Sequence, residues 1–401
     1  MNPDLELLQP YPFQRLRALF AGIEPSTSRR HINLGIGEPR HPTPRCVVDA
    51  LIAGIDGLGR YPATRGLDTL RNAMAGWIRR RYHLPETGVD PVRHVLPVAG
   101  TREALFAIAQ LLVDRRQQPL VLMPNPFYQI YEGATLLAGA EPRYLPCSAA
   151  TGYLPDPHDV TDRDWRRCQL LYVCSPANPS GAVLPKAQQL HLLELADRHD
   201  FVIAADECYS EIYPPGTPPP QGFLQTAHDA GRADFQRLLV FHSLSKRSNA
   251  PGLRSGFVAG DPDLLERFLL YRTYQGCALP EPTQAASIAA WNDERHVEDN
   301  RRHYQAKFDA VLEILGDRLN VTRPEAGFYL WPRTPIGDEA FARELYRREG
   351  VTVLPGSYLS RAAGGSNPGA GHVRMALVPP LEECREAAWR IRRLLASLPP
   401  G

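Results

Sequence analysis

Lys246 is one of only three lysines in the 401-residue chain, the others being Lys186 and Lys307, so nearly all positive charge rests on arginine. It stands among small polar residues in Ser243-Leu-Ser-Lys-Arg-Ser-Asn249. A lysine amine in such surroundings shifts its pKa readily and attacks carbonyl carbon. Asp206 follows the apolar run Phe201-Val-Ile-Ala-Ala205. An unpaired charge there would be costly, so this carboxylate needs a cationic partner, and a ring nitrogen that must stay protonated would serve. Ser243, Ser245 and, eight residues beyond Lys246, Arg254 supply the hydroxyls and guanidinium that a phosphate group takes. A second anion contact is suggested by Ala99-Gly-Thr-Arg-Glu-Ala-Leu105, where Gly100 and Thr101 open an apolar helix whose free N–H groups and dipole favour negative charge. The ring of Tyr128 is placed to stack on a planar ligand.

These residues occupy one kind of position. Short, nearly continuous apolar runs recur at Leu120–Met123, Leu170–Cys174, Phe201–Ala205, Leu238–Phe241 and Phe257–Ala259, with helical stretches between them. Runs without polar alternation read as strands buried on both faces, so the expected fold is α/β with a mostly parallel sheet. In open α/β sheets ligands sit at the carboxyl ends of strands. The residues just after four of the runs are polar: Pro124-Asn-Pro-Phe-Tyr-Gln-Ile-Tyr131, Ser175-Pro-Ala-Asn-Pro-Ser-Gly181, Asp206-Glu-Cys-Tyr209 and His242-Ser-Leu-Ser-Lys246. They offer aromatic rings, an amide, a carboxylate with a phenol, and hydroxyls with a lysine.

Three units are expected. Residues 1–50 read as an amphipathic helix, Tyr11–Ala21, followed by a proline-rich arm through Pro44. Residues 51–280 form the large unit. Residues 281–401 form a smaller one, with long helical pattern through Leu319, strand-like pieces at 327–331, 351–354 and 372–378, and a closing helix. Pro214–Gly222 and Gly364–Gly371 read as surface loops.

With 43% hydrophobic and 22% charged residues and a formal net charge of +1, the composition is that of an ordinary globular protein. It favours neither nucleic acid nor an anionic membrane as partner. No apolar run is long enough to cross a bilayer and the first residues lack a basic start, so a cytoplasmic location is expected. The seven cysteines show no C-x-x-C spacing and the histidines no ligand spacing, so neither a disulfide framework nor a metal is expected.

The segment Ser243–Gly256 resembles the lysine signature of class I aminotransferases, the fold type I pyridoxal-phosphate enzymes, and the other motifs agree with that family in order and spacing. It departs at Ser255, where an aliphatic residue is commoner. The resemblance implies pyridoxal 5'-phosphate as cofactor, joined to Lys246 as a Schiff base. It implies Asp206 against the pyridine nitrogen, Tyr209 on the ring hydroxyl, and Tyr128, rather than its neighbour Phe127, stacked on the ring. It also implies phosphate contacts from Gly100, Thr101, Arg102, Ser243, Ser245 and Arg254, with Tyr61 reaching in from the partner subunit of a homodimer that shares its active sites. The substrate α-carboxylate is then held by Arg374 and Asn178, with Gly37 contributing backbone. Substrates are small amino acids and 2-oxo acids.

Within that family, Asn33–Pro44, Pro124–Gly133, Phe241–Asp261 and Tyr271–Pro280 resemble bacterial N-succinyl-diaminopimelate aminotransferases. That implies glutamate as amino donor and N-succinyl-2-amino-6-oxopimelate as acceptor. A substrate with several carboxylates wants basic side chains beyond Arg374, with Arg40 and Arg272 among those on offer. The same scaffold also carries acetylornithine, aspartate and aromatic aminotransferases and C–S lyases. A cofactor-binding transcription regulator would need a DNA-binding domain ahead of a pattern that already starts within about thirty residues of Met1.

Overall fold

The computed structural model describes residues 1–25 and 29–398, the side chain of Asp317 aside. Its strands are β1 (Ile32–Asn33), β2 (Val95–Val98), β3 (Leu120–Asn125), β4 (Glu141–Pro146), β5 (Cys168–Cys174), β6 (Val202–Asp206), β7 (Leu238–Ser243), β8 (Gly256–Gly260), β9 (Tyr329–Leu330), β10 (Val351–Thr352), β11 (Leu354–Pro355) and β12 (Val373–Ala376).

The seven-stranded sheet runs in the order β2-β8-β7-β6-β5-β3-β4. Pairing from β7 through β4 is parallel, whereas β8 is antiparallel to both β7 and β2. The continuous apolar runs have a direct cause. Leu120, Leu122, Ile203, Ala205, Leu238 and Val240 pack into one core cluster. Their alternates Val121, Met123, Val202, Ala204, Leu239 and Phe241 pack into another. Successive side chains on a strand point to opposite faces, and here each face is covered, so neither can be polar.

Two strands of this sheet escape the sequence reading, and both are edges. β2 carries Pro97, and β4 carries Pro142 and Pro146 with a half-exposed pattern. Proline cannot donate to a ladder and survives where one side of the strand needs no partner.

A third apolar cluster joins Ile32 and Leu34 to Leu330, Leu345, Val351, Val373, Met375 and Ile391. It underlies a parallel pair, β1 with β10, and a small antiparallel sheet, β11-β12-β9. The expected strand over 351–354 is two short ones, because Val353 leaves the β1 pairing and the chain turns toward β12 at Leu354. The long helical stretch is interrupted at Asp293-Glu294, between Glu281–Asn292 and Arg295–Leu315; Asp293 accepts the Arg295 N–H and restarts the helix. The closing helix is Leu381–Ser397; of the stretch 281–401, residues 399–401 lie outside the described residues. Among the described residues no helix is long and apolar enough to cross a membrane.

Candidate active site

The register Cys174↔Asp206↔Phe241 brings the ends of β5, β6 and β7 level, so the residues that follow them open into one space. That space is a cavity of about 520 Å³. Lys246, Asp206, Tyr209, Tyr128 and Asn178 line it, as do Thr101, Arg102, Ser243, Ser245, Arg254, Gly37 and Arg374. Of the residues singled out from sequence for the cofactor and the α-carboxylate, Gly100 and Tyr61 do not.

Asp206 ends β6 and is buried. Its Oδ2 accepts from Tyr131 Oη at 2.7 Å and its Oδ1 from the Cys208 N–H at 3.2 Å. Burial raises its pKa, and the donors of Cys208 and Tyr131 pull it back. No lysine or arginine among the described residues pairs with it.

Lys246 sits in the single helical turn Leu244–Arg247, whose start is capped by Ser243 Oγ accepting from Ser245 N at 3.1 Å. Its Nζ donates to the Gly37 carbonyl at 2.5 Å and lies 5.5 Å from the centre of the Phe328 ring. Burial lowers the pKa of this amine from 10.5 to about 8; Arg374 and Arg102 push the same way, and Cys208 and Glu38 oppose them. An amine so tuned is available as a nucleophile and a base near neutral pH.

Ser243 Oγ lies 3.0 Å from Ser245 Oγ, and Arg254 approaches the start of the helix Thr101–Leu112. Gly100 explains how. Its backbone is at φ 84° and ψ 150°, and a Cβ there would run into the Arg254 guanidinium. Gly100 therefore makes room for the guanidinium instead of lining the cavity itself. Hydroxyls, a guanidinium and free helix N–H groups together offer the donors that a phosphate group takes.

Arg374 lies on β12. Its Nη1 donates to Asn178 Oδ1 at 3.0 Å, its Nη2 donates to the Gly35 carbonyl at 2.9 Å, and its guanidinium lies 4.5 Å from the centre of the Tyr329 ring. Its Nε is buried and lacks a partner among the described residues. Tyr209 Oη and Tyr329 Oη are 2.9 Å apart, and burial holds the Tyr209 phenol well above its usual pKa. Tyr329 also occupies the space a side chain at Gly37 would need.

Some expectations are redirected. Arg102 Nε donates to Tyr128 Oη at 2.7 Å, which ties this cavity-lining guanidinium to the phenol beside it. Phe127 is buried against Tyr144, with ring centres 5.5 Å apart, and only Tyr128 reaches the cavity. Arg272 is fully buried and bonded to Glu103 Oε1 at 2.5 Å, and Arg40 faces Glu383 at 3.5 Å; neither lines the cavity. Both were drawn away by carboxylates distant in sequence. Ser255, the departure from the family pattern, is buried and accepts from Ser287 Oγ at 2.7 Å. Tyr61 is fully exposed on this chain.

Sequence reasoning missed Tyr131 and Tyr329. The first carried a signal, since Tyr128 and Tyr131 are three residues apart at the start of the helix Gln129–Ala138 and so share a side of it.

The cavity fits pyridoxal phosphate on its own evidence. It has a buried carboxylate without a cation, a group of anion-binding donors whose guanidinium a Cβ at Gly100 would displace, and in the same cavity a lysine amine with a lowered pKa. Known proteins agree. The family model for aminotransferases of class I and II matches residues 29–391. The LL-diaminopimelate aminotransferase of Desulforudis audaxviator is 32% identical over 397 residues, covering 98% of this chain and 97% of that protein. The crystal structure of an aminotransferase from Neisseria meningitidis superposes with a TM-score of 0.94 at 49% identity, covering 98% of this chain and all of that one. The structure of a probable N-succinyldiaminopimelate aminotransferase from Thermus thermophilus gives 0.81 at 27% identity, with 94% and 97% covered. The chain is thus a member of the class I and II aminotransferase family, an α/β enzyme of fold type I with pyridoxal phosphate as its cofactor.

Proposed function

We propose that this aminotransferase moves an amino group between N-succinyl-LL-2,6-diaminopimelate and 2-oxoglutarate, giving N-succinyl-2-amino-6-oxopimelate and glutamate. The observation that carries the chemistry is the Lys246 amine, its pKa lowered to about 8, in one cavity with the unpaired Asp206 carboxylate. When bound, the cofactor supplies an electron sink for charge developing at the substrate α-carbon. Lys246 Nζ would hold the cofactor between turnovers, and once freed its amine would take the proton from the substrate α-carbon and deliver it to the cofactor's carbonyl carbon. Asp206 would keep the ring nitrogen protonated, Tyr209 Oη would bond the ring hydroxyl, and Tyr128 would cover the ring. Ser243, Ser245, Arg254 and the first turn of the helix Thr101–Leu112 hold the phosphate. Arg374 and Asn178 would grip the α-carboxylate, with Gly37 contributing backbone.

The substrate class rests on charge and on likeness. Arg102 lines the cavity in addition to Arg374 and Arg254, so a guanidinium remains for a further carboxylate. The Thermus thermophilus neighbour carries the succinylated substrate in its name. A second reading, transamination of LL-diaminopimelate without the succinyl group, is favoured by the Desulforudis audaxviator relative, named for that activity. Steady-state assays with 2-oxoglutarate and each amino donor separate the two, with acetylornithine and aspartate as controls. The succinylated donor is expected to give a kcat/KM at least about ten-fold higher, equal to about 1.4 kcal/mol of transition-state binding. The reverse order would assign the unsuccinylated substrate.

The assembly is proposed as a cytoplasmic homodimer, with residues 51–280 and 281–401 as its large and small units and 1–50 as an arm. Ile52, Ile55, Leu58 and Tyr61 are each more than half exposed within ten residues, an apolar concentration that a second copy would cover.

A further inference from the structure

Cys46, Asp293 and His296 meet where the helix Arg45–Ala53 passes the break between Glu281–Asn292 and Arg295–Leu315. Their ligand atoms all lie within 4.8 Å of one another. Cys46 Sγ is 3.5 Å from Asp293 Oδ2, and His296 Nδ1 is 3.7 Å from the same oxygen. A tetrahedral cation bound at about 2.0 Å to nitrogen and oxygen and about 2.3 Å to sulfur sets its ligands about 3.3–3.5 Å apart. Two of the three separations are within a few tenths of an ångström of that geometry.

The histidine supplies an independent pointer. Its side chain is 10% exposed, and Nδ1 has no hydrogen-bond partner among the described residues. Such an atom ordinarily destabilises a fold, and a ligand would relieve it. On the opposite side of the ring, Nε2 lies 2.8 Å from Ser248 Oγ. With the ring proton on Nε2 donated to that oxygen, the Nδ1 lone pair faces Cys46 and Asp293, which is how metal-bound histidines are oriented. Asp293 is fixed in the same way, its Oδ1 accepting the Arg295 N–H at 2.7 Å while Oδ2 faces the other two residues. Charge balances as well. A thiolate and a carboxylate neutralise a divalent ion, and the nearby Arg247 is already paired with Glu294 at 2.6 Å.

We propose that Cys46, Asp293 and His296 bind one divalent cation of the zinc class, with water completing a tetrahedron. A thiolate with an imidazole selects such a borderline-soft ion over magnesium or calcium. Binding transfers the Cys46 thiol proton to solvent, one proton per cation, so affinity falls as pH falls. Bound metal would clamp the helix that follows the arm of Gly37 to the 293–296 break. Through Ser248 it would also brace the segment bearing Lys246. Linear spacing conceals the site, since Cys46 and Asp293 lie 247 residues apart.

The test is calorimetric titration of chelator-treated holoenzyme with zinc chloride alone, in two buffers of different ionisation enthalpy. The native protein is expected to take up one equivalent per chain with release of one proton, and magnesium chloride at the same concentration to give no uptake. Cys46→Ser and His296→Gln are each expected to weaken zinc binding at least ten-fold, and Ser248→Ala to weaken it by a smaller factor while leaving the ligands in place. If a ligand variant fails to fold, the native titration and Ser248→Ala still decide. No uptake by the native protein, or affinities equal in native protein and variants, would overturn the proposal and leave Cys46 as a thiol hydrogen-bonded to Asp293.

Discussion

Tyr131 Oη donates to Asp206 Oδ2 at 2.7 Å, with both side chains buried and the Tyr131 ring stacked on Tyr172 at 4.5 Å between centres. The bond favours the ionised carboxylate that a protonated ring nitrogen requires. In Tyr131→Phe the Asp206 pKa is expected to rise further and its grip on the cofactor to slacken. Hydrogen bonds to charged groups are worth roughly 1.5–3 kcal/mol, so cofactor affinity should fall about ten- to hundred-fold. Spectrophotometric titration of the cofactor-free variant reads this directly, and native affinity would show that the carboxylate needs no such support.

Gly100 yields to Arg254, and the consequence is separable from simple misfolding. Gly100→Ala must adopt a backbone region that is essentially glycine-only, costing roughly 1–3 kcal/mol of stability measured by denaturant unfolding. The new Cβ is accommodated by moving the guanidinium, a flexible end, so cofactor affinity is expected to drop by more than the stability loss alone explains. A variant with lowered stability and native cofactor affinity would remove Arg254 from the phosphate site.

The pH dependence of cofactor attachment follows from the Lys246 amine. Its lowered pKa populates the neutral, nucleophilic form above about pH 8 instead of above 10.5. The rate at which cofactor-free protein recombines with pyridoxal phosphate should therefore climb with pH and level off just above 8. A rate still climbing past pH 9.5 would mean that burial does not tune this amine.

Subunit sharing has a hybrid test. Tyr61→Ala and Lys246→Ala homodimers should each be nearly inactive. Unfolded together and refolded as mixed dimers, they restore one intact site if Tyr61 acts in the partner's cavity, since the protomer with Lys246 then receives its Tyr61 from the other. Activity should recover toward about a quarter of native, as half the dimers are mixed and each holds one good site. No recovery would place Tyr61 in the site of its own chain.

Legibility in the sequence followed physical locality. Strands covered on both faces announced themselves because every side chain had to be apolar, and their polar exits named the cavity. Edge strands β2 and β4 stayed hidden because β2 is four residues long and carries Pro97, while β4 is only partly buried and carries Pro142 and Pro146, prolines that an edge tolerates. Arg272 looked available because arginine is abundant, and only folding shows that Glu103 claims it. Tyr329 and the Cys46–Asp293–His296 cluster depend on meetings between distant segments, which no local spacing encodes.

The central claim, a covalent link between Lys246 and the cofactor, is tested most directly by reducing the native protein with borohydride and locating the trapped group by peptide mass analysis. The adduct is expected on the peptide containing Lys246, with loss of the visible absorbance and no labelling of Lys186 or Lys307. Label on either of those lysines, or an absorbance that borohydride leaves unchanged, would contradict the assignment.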